Sequence, residues 1–226
     1  MDAIHDVAPG GLDARILLIM LPGARDTPED LASHGFIRAI RERSLAVDVV
    51  AVDAHLGYYL ERTVAERLEQ DIIASARARG YKRIWFMGIS LGGLGSLIYA
   101  RAHPGEVEGE VLLAPFLSNR GLIDDVIRAG GLDRWQPGEI AADDEERQLL
   151  AWLKAYRTDE PRLPKIYLGY GTGDRFAPAS ALLATRLPVG QVATIEGGHD
   201  WPTWFNLWNQ LLDKGLFTVD HGAMHK

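Results

Sequence analysis

Short, unbroken runs of apolar residues alternate with helical patterns along most of this chain of 226 residues. Continuous apolar runs are typical of parallel strands buried on both faces, and strand-helix alternation is typical of a sheet covered by helices on both sides. We therefore predict one α/β domain, residues 1–226, with a mostly parallel sheet of about six strands. The predicted strands are Arg15–Leu21, Val47–Val52, Arg83–Met87, Glu110–Leu113, Lys165–Tyr170 and Gln191–Ile195.

One connection interrupts this alternation. After the fourth predicted strand, residues 117–164 contain no strand-like run but two helical patterns, Leu122–Ala129 and Asp143–Arg157. A long insertion at the carboxyl end of a strand is a common place for a lid or a substrate-pocket wall. Two ordinary packing helices are the alternative. The other predicted helices are Pro28–Arg43, Thr63–Arg79, Leu91–Ala102, Pro178–Leu187 and Pro202–Leu212.

Charge and cysteine content exclude several kinds of site. A net charge of -7 gives no electrostatic reason to bind nucleic acid or an anionic membrane. The absence of cysteine excludes disulfides, a thiol nucleophile and zinc-thiolate sites. The first apolar run ends at Leu21 and is too short for a signal sequence or a membrane span. We expect a cytoplasmic protein without cofactor or metal.

The segment Gly88-Ile89-Ser90-Leu91-Gly92 lies between a predicted strand and a glycine-rich predicted helix. A serine on such a sharp turn projects its hydroxyl above the end of the sheet. Small residues are needed on either side because the turn is strained and the backbone passes close to its neighbours. The sequence context therefore indicates a nucleophilic serine.

Two later loops follow strands and contain polar residues next to glycines. Asp174 stands in Gly171-Thr172-Gly173-Asp174-Arg175, and His199 stands in Gly197-Gly198-His199-Asp200-Trp201. A nucleophilic serine needs a histidine as base and an acid that orients the histidine, and these loops offer His199 and Asp174. Asp200 is the alternative to Asp174 as the acid, although its position before Pro202 favours a helix N-cap. His103 is the alternative histidine, although its position favours the end of a helix.

Together these residues resemble the α/β-hydrolase superfamily over about Arg15 to Leu212. The resemblance rests on Gly88 to Gly92, the Asp174 loop and the His199 loop, and the last of these is similar to the histidine loop of the esterase D-like branch. It implies the α/β-hydrolase fold, with Ser90 as nucleophile, His199 as general base and then acid, and Asp174 as the orienting carboxylate. The backbone N–H groups of Leu91 and Ala24 are the implied oxyanion donors.

The chain departs from the superfamily pattern in two places. Leu21-Pro22-Gly23-Ala24 replaces the His-Gly-Gly-Gly oxyanion motif of the hormone-sensitive-lipase type. Only about fourteen residues precede the first predicted strand, so the two antiparallel strands that often open this fold are predicted to be absent. Arg25, in the same loop as Ala24, is expected to form a surface ion pair with Asp26 or Glu29, and binding of a substrate carboxylate or phosphate is the alternative.

Four aromatic residues are candidates for the substrate pocket: Trp135, Trp152, Tyr58 and Trp201. The resemblance implies hydrolysis of carboxylic esters of small or medium acyl groups through an acyl-serine intermediate. An acyl thioesterase or a lysophospholipase-like enzyme has the same residues. The choice between a small-molecule ester and a thioester as the substrate of this protein therefore stays open. A non-catalytic binding protein with this fold is the alternative from another class.

Overall fold

Seven strands form one sheet in the part of the chain that this computed structural model describes, residues 1–9 and 16–217. The spatial order is β1-β3-β2-β4-β5-β6-β7. All neighbouring pairs are parallel except β1 with β3. The strands are β1 Ala3–Asp6, β2 Ile16–Leu21, β3 Val47–Val52, β4 Arg83–Ile89, β5 Gly109–Leu113, β6 Lys165–Gly171 and β7 Val192–Ile195.

The predicted α/β architecture and its buried parallel strands are confirmed. Every residue of β2, β3 and β5 is buried, which explains why their sequences are continuously apolar with few exceptions. Alternate residues of each strand face opposite sides of the sheet, so Leu17 and Ile19 of β2 join one core cluster while Ile16 and Leu18 join the other. Arg15, predicted to begin this strand, lies outside the described residues.

The strand β1 is a correction to the prediction that no antiparallel strand opens the fold. It pairs with β3 through Ala3↔Val52 and Asp6↔Val49 at the edge of the sheet. Its sequence, Ala-Ile-His-Asp, has no apolar run because none of its four residues is buried. Backbone pairing with β3 therefore orders this segment, and a search for hydrophobic pattern misses it.

Helices cover both faces of the sheet. The described helices are α1 Pro28–Ser33, α2 Phe36–Glu42, α3 Leu56–Leu60, α4 Val64–Leu68, α5 Ala74–Ala78, α6 Leu91–Ala102, α7 Arg120–Arg128, α8 Glu145–Ala155, α9 Ala177–Ala184 and α10 Trp201–Leu212. A π-helical turn, Glu69–Ile73, joins α4 to α5. The predicted helix Pro28–Arg43 is divided because Gly35 has φ +86°. None of the helices within residues 1–9 and 16–217 has both the length and the apolar character needed to cross a membrane.

The insertion between β5 and β6 contains α7 and α8, close to the two helical patterns predicted there. Both helices bury apolar residues, among them Leu122, Val126, Leu149 and Leu153, in the core cluster that also contains Leu17 of β2. This packing agrees with the alternative of ordinary packing helices. A lid function for residues 117–164 stays a prediction.

One buried acid of β5 makes stability depend on pH. Glu110 is 0% exposed, and neither carboxylate oxygen has a hydrogen-bond partner among the described residues. Its partners in the sheet register, Phe86 and Ile166, are apolar and buried. Burial raises the pKa of Glu110 from 4.5 to about 8, so this carboxyl group is protonated in the folded protein at neutral pH.

We expect Glu110→Leu to stabilise the protein by about 1–3 kcal/mol near pH 8, because it replaces an unsatisfied buried carboxyl group with an apolar side chain of similar volume. In the wild type, the unfolded carboxyl group loses its proton at a lower pH than the folded one. The free energy of unfolding therefore falls as pH rises from about 4.5 to about 8, and this loss is absent in the variant.

Urea unfolding at several pH values between 5 and 8.5 measures this difference. Glu66→Leu is the matched control because Glu66 is an exposed glutamate on α4. The same pH dependence in the wild type and in Glu110→Leu would contradict the expectation.

Candidate active site

The turn between β4 and α6 holds Ser90 in a strained conformation. Its φ is 51° and its ψ is -112°, a region that non-glycine residues rarely occupy. The backbone N–H of Ser90 donates to the carbonyl oxygen of Leu113 at 2.9 Å, and the N–H of Phe116 donates to the carbonyl oxygen of Ser90 at 2.9 Å. Hydrogen bonds from and just beyond the neighbouring strand β5 therefore fix this turn.

Close backbone packing explains the two glycines around Ser90. A methyl group at Gly88 would lie 2.5 Å from the carbonyl carbon of Gly92, on the other side of the turn. A methyl group at Gly92 would overlap the carbonyl oxygen of Leu21, at the end of β2. The glycines predicted from sequence are therefore required by contacts on both sides of the serine.

The structure brings the three predicted catalytic residues together. Nε2 of His199 lies 2.9 Å from Oγ of Ser90, and Nδ1 of His199 lies 2.8 Å from Oδ2 of Asp174. Ser90 is 7% exposed and Asp174 is 5% exposed. Since an ionised carboxylate only accepts hydrogen bonds, Nδ1 carries the proton and Nε2 is free to accept the serine proton.

The acid loop and the histidine loop are bonded directly to each other. The N–H of Thr172 donates to the carbonyl oxygen of Ile195 at 2.8 Å, and the N–H of Gly173 donates to that of Gly197 at 3.0 Å. A second hydrogen bond fixes the carboxylate of Asp174, whose Oδ1 accepts from the N–H of Phe176 at 2.8 Å. These bonds hold the acid and the base in a fixed relative position.

Two aromatic rings contact the imidazole of His199. The rings of Phe176 and Trp204 each lie edge-on to it, with centroids 4.9 Å away. Edge-to-face contacts of this kind favour one orientation of the ring. The imidazole therefore keeps one nitrogen toward Ser90 and the other toward Asp174.

Asp200, the alternative acid, and His103, the alternative histidine, make local contacts at helix ends. Oδ1 of Asp200 accepts from the N–H of Thr203 at 2.9 Å, so this residue caps α10, and that hydrogen bond lowers its pKa. His103 follows α6, where its ring stacks on Tyr99 with centroids 4.3 Å apart. Among the described contacts, neither side chain bonds to Ser90.

The predicted oxyanion donors border the same space. Ala24 lies in a turn closed by a hydrogen bond of 3.2 Å from the N–H of Asp26 to the carbonyl oxygen of Gly23. This turn, Ser90 and His199 line a cavity of about 270 Å³. Leu91 is the first residue of α6, a position whose N–H has no acceptor within the helix. The role of both N–H groups stays a prediction.

A family comparison identifies the chain. The family model Esterase, with the description "Putative esterase", matches residues 54–216. This chain belongs to that esterase family. The match includes Ser90, Asp174 and His199 and more than half of the chain. No curated protein matches the sequence.

Solved structures show that this esterase has the α/β-hydrolase fold. It is 17% identical to the fluorophosphonate-binding serine hydrolase F of Staphylococcus aureus, with a TM-score of 0.61 over 96% of this chain and 92% of the other. The chain is 15% identical to the S-formylglutathione hydrolase of Staphylococcus aureus, with a TM-score of 0.59 over 87% of this chain and 79% of the other. It is also 15% identical to Est1E of Butyrivibrio proteoclasticus, with a TM-score of 0.59 over 94% of this chain and 93% of the other. Identities this low establish the fold and leave the substrate open.

The structure places the four candidate pocket aromatics of this esterase outside the wall of the cavity beside Ser90. Trp135 is 4% exposed in the hydrophobic core, and Trp152 packs edge-on to Tyr156. Tyr58 stacks on His55, with centroids 4.1 Å apart. Trp201 stacks on His34, with centroids 4.0 Å apart. Their neighbours in the core and on the surface therefore account for all four side chains.

Other aromatic residues line the cavities in and around this site. Trp204 lines the 270 Å³ cavity together with Ser90. Tyr59 and Phe116 line a second cavity of about 700 Å³, and Phe176 lines a third of about 430 Å³. Two of these residues lie next to predicted ones, because Tyr58 and Tyr59 are adjacent and Trp201 and Trp204 share one helix. Their spacing does not reveal which ring faces the site.

A cluster of possible metal ligands lies elsewhere in this esterase. Glu69, His103 and Glu106 bring three ligand atoms within 4.8 Å of one another. Arg77 forms ion pairs with both carboxylates, and the hydroxyl of Tyr99 donates to Glu69 at 2.6 Å. These groups satisfy the carboxylates as an ion-pair network, so the cluster is explained without a metal.

We expect Gly92→Ala to lower the free energy of unfolding by about 1–3 kcal/mol and to displace Ser90, because the new methyl group overlaps the carbonyl oxygen of Leu21. Chemical denaturation measures the loss. Gly190→Ala is the matched control, since a methyl group there meets no atom within 4 Å. Equal stability of the two variants would show that the close packing around the turn is not required.

Proposed function

We propose that this protein is a serine esterase that cleaves carboxylic esters of small or medium acyl groups through an acyl-serine intermediate. The observation that supports the proposal most directly is the chain of hydrogen bonds Asp174–His199–Ser90, with distances of 2.8 Å and 2.9 Å. Membership of the esterase family supports the reaction class.

Acylation begins when Oγ of Ser90 attacks the carbonyl carbon of the ester. Nε2 of His199 takes the serine proton as the C–O bond to Oγ forms. The N–H groups of Leu91 and Ala24 stabilise the negative charge on the carbonyl oxygen, and one such donor contributes about 3 kcal/mol. The imidazolium then donates its proton to the leaving alcohol as the ester C–O bond breaks.

Deacylation repeats the same steps with water. His199 removes a proton from a water molecule, whose oxygen attacks the acyl carbon. The tetrahedral intermediate collapses, Oγ of Ser90 recovers its proton from the imidazolium, and the carboxylic acid is released. Asp174 keeps Nδ1 protonated and stabilises the imidazolium in both halves of the reaction.

Thioester cleavage is the second candidate. A structural neighbour is an S-formylglutathione hydrolase, and an S-acyl group reacts at its carbonyl carbon by the same steps. Ester and thioester cleavage can be compared by the hydrolysis rates of p-nitrophenyl esters and of thioesters that carry the same acyl group. The cytoplasmic location stays a prediction from the sequence.

We expect a fluorophosphonate probe to label the wild type and not Ser90→Ala, because the probe phosphonylates an activated serine. Ser96→Ala is the matched control, since Ser96 lies on α6, the helix that follows Ser90, with its hydroxyl bonded to the carbonyl oxygen of Gly93. Gel fluorescence measures the labelling. A folded wild type that does not react would contradict the proposal.

We expect Asp174→Asn to lower the acylation rate about 10³–10⁴-fold, because an amide at this place favours the wrong tautomer of His199. Asp200→Asn is the matched control, since asparagine caps a helix as well as aspartate does. The release of p-nitrophenol from p-nitrophenyl butyrate measures both. A larger loss in Asp200→Asn than in Asp174→Asn would refute the assignment of the acid.

A further inference from the structure

Two arginines line the cavity that contains Ser90 and His199. Arg25 follows Ala24 in the turn after β2, and Arg175 follows Asp174 in the loop after β6. Both side chains are exposed. Each guanidinium group therefore belongs to a loop that also contributes a residue to the proposed reaction centre.

Neither arginine forms an ion pair with an acid in the described part of the chain. The ion pair expected between Arg25 and Asp26 or Glu29 does not form, and within residues 1–9 and 16–217 no carboxylate pairs with Arg25 or Arg175. Other arginines do pair, among them Arg83 with Glu108 and Arg186 with Asp133. Arg25 and Arg175 thus place two guanidinium groups without an ion-pair partner among the described residues at one cavity.

The two acids near these arginines, Asp26 and Asp174, form hydrogen bonds with other partners. Both carboxylate oxygens of Asp174 are used, one by His199 and one by the N–H of Phe176. Asp26 lines the cavity but accepts a hydrogen bond from the backbone of Gly23, and burial raises its pKa. Neither acid pairs with Arg25 or Arg175, so both guanidinium groups are free to donate hydrogen bonds to an anionic group of the substrate.

Contact with an aromatic ring positions Arg175. Its guanidinium carbon lies 4.9 Å from the centroid of the Phe176 ring, which itself lies edge-on to His199. Stacking of this kind orients the planar group and leaves the N–H donors at its edge available for bidentate binding of a carboxylate. The arrangement favours recognition of an anion next to the scissile bond.

We propose that Arg25 and Arg175 bind a carboxylate carried by the substrate, so that the preferred esters of this protein are anions. The proposal rests on the proposed function, because it concerns esters that react at Ser90. It adds a substrate class and two specificity residues to that reaction.

Two pairs of esters test the charge preference. One pair is p-nitrophenyl hydrogen adipate and its methyl ester, in which the charge lies on the acyl group. The other pair is 4-acetoxybenzoate and its methyl ester, in which the charge lies on the leaving group. At low ionic strength we expect kcat/KM of the wild type to be about tenfold higher for the anion in at least one pair, as for a partly exposed charge-assisted hydrogen bond.

Substitution of the arginines then assigns the preference. We expect Arg25→Gln and Arg175→Gln each to lower the anion-to-neutral ratio of kcat/KM several-fold, mainly through a higher KM for the anion, because the carboxylate is bound before and during the reaction. Salt at about 0.5 M should lower the ratio in the wild type as well.

Arg79→Gln is the matched control. Arg79 is also exposed and lies over a ring, 5.7 Å from the centroid of Tyr81, but it lines a cavity that does not contain Ser90. We expect the ratio of this variant to equal that of the wild type. A ratio that falls as much in Arg79→Gln as in Arg175→Gln would overturn the assignment to the two arginines.

The outcomes separate this proposal from the proposed function. A wild type that hydrolyses the neutral esters with no gain for either anion overturns the carboxylate site and leaves the esterase reaction standing. A wild type that hydrolyses none of the four esters and resists the fluorophosphonate probe overturns both. A preference that both arginine variants lose supports the site.

Discussion

The strained backbone of Ser90 is the constraint on which the rest of the structure depends. A serine with φ 51° needs support from its surroundings, and that support comes from both neighbouring strands. On one side Ser90 bonds to Leu113 at the end of β5, and on the other side Gly92 packs against Leu21 at the end of β2. The register of the sheet therefore determines where the serine hydroxyl lies, because the turn that holds Ser90 is fixed by the ends of β2 and β5.

Positions at strand ends could be predicted from the sequence because parallel strands end at a common edge. Ser90, Asp174 and His199 each follow an apolar run and stand among glycines, which are signals that a single sequence contains. The edge strand β1 has no such signal, since pairing with β3 orders it. The choice between Tyr58 and Tyr59, or between Trp201 and Trp204, depends on how short helices rotate against the sheet, and the same residue spacing fits either choice.

Aromatic residues divide the space around the proposed nucleophile. The rings of Phe116 and Phe176 meet edge to face with centroids 5.5 Å apart, and each lines a different cavity. The backbone N–H of Phe116 donates to Ser90, and that of Phe176 donates to Asp174. The same two residues thus line the cavities with their rings and bond to Ser90 and Asp174 through their backbone N–H groups.

Glu110 has a consequence for the energetics of folding as a whole. At pH 7 its carboxyl group is ionised in the unfolded chain and protonated in the core, because burial raises the pKa from 4.5 to about 8. Folding at this pH therefore takes up close to one proton from the buffer through this residue. The heat measured for folding contains the ionisation enthalpy of the buffer, so calorimetry in phosphate and in Tris gives different apparent enthalpies for the same structural transition.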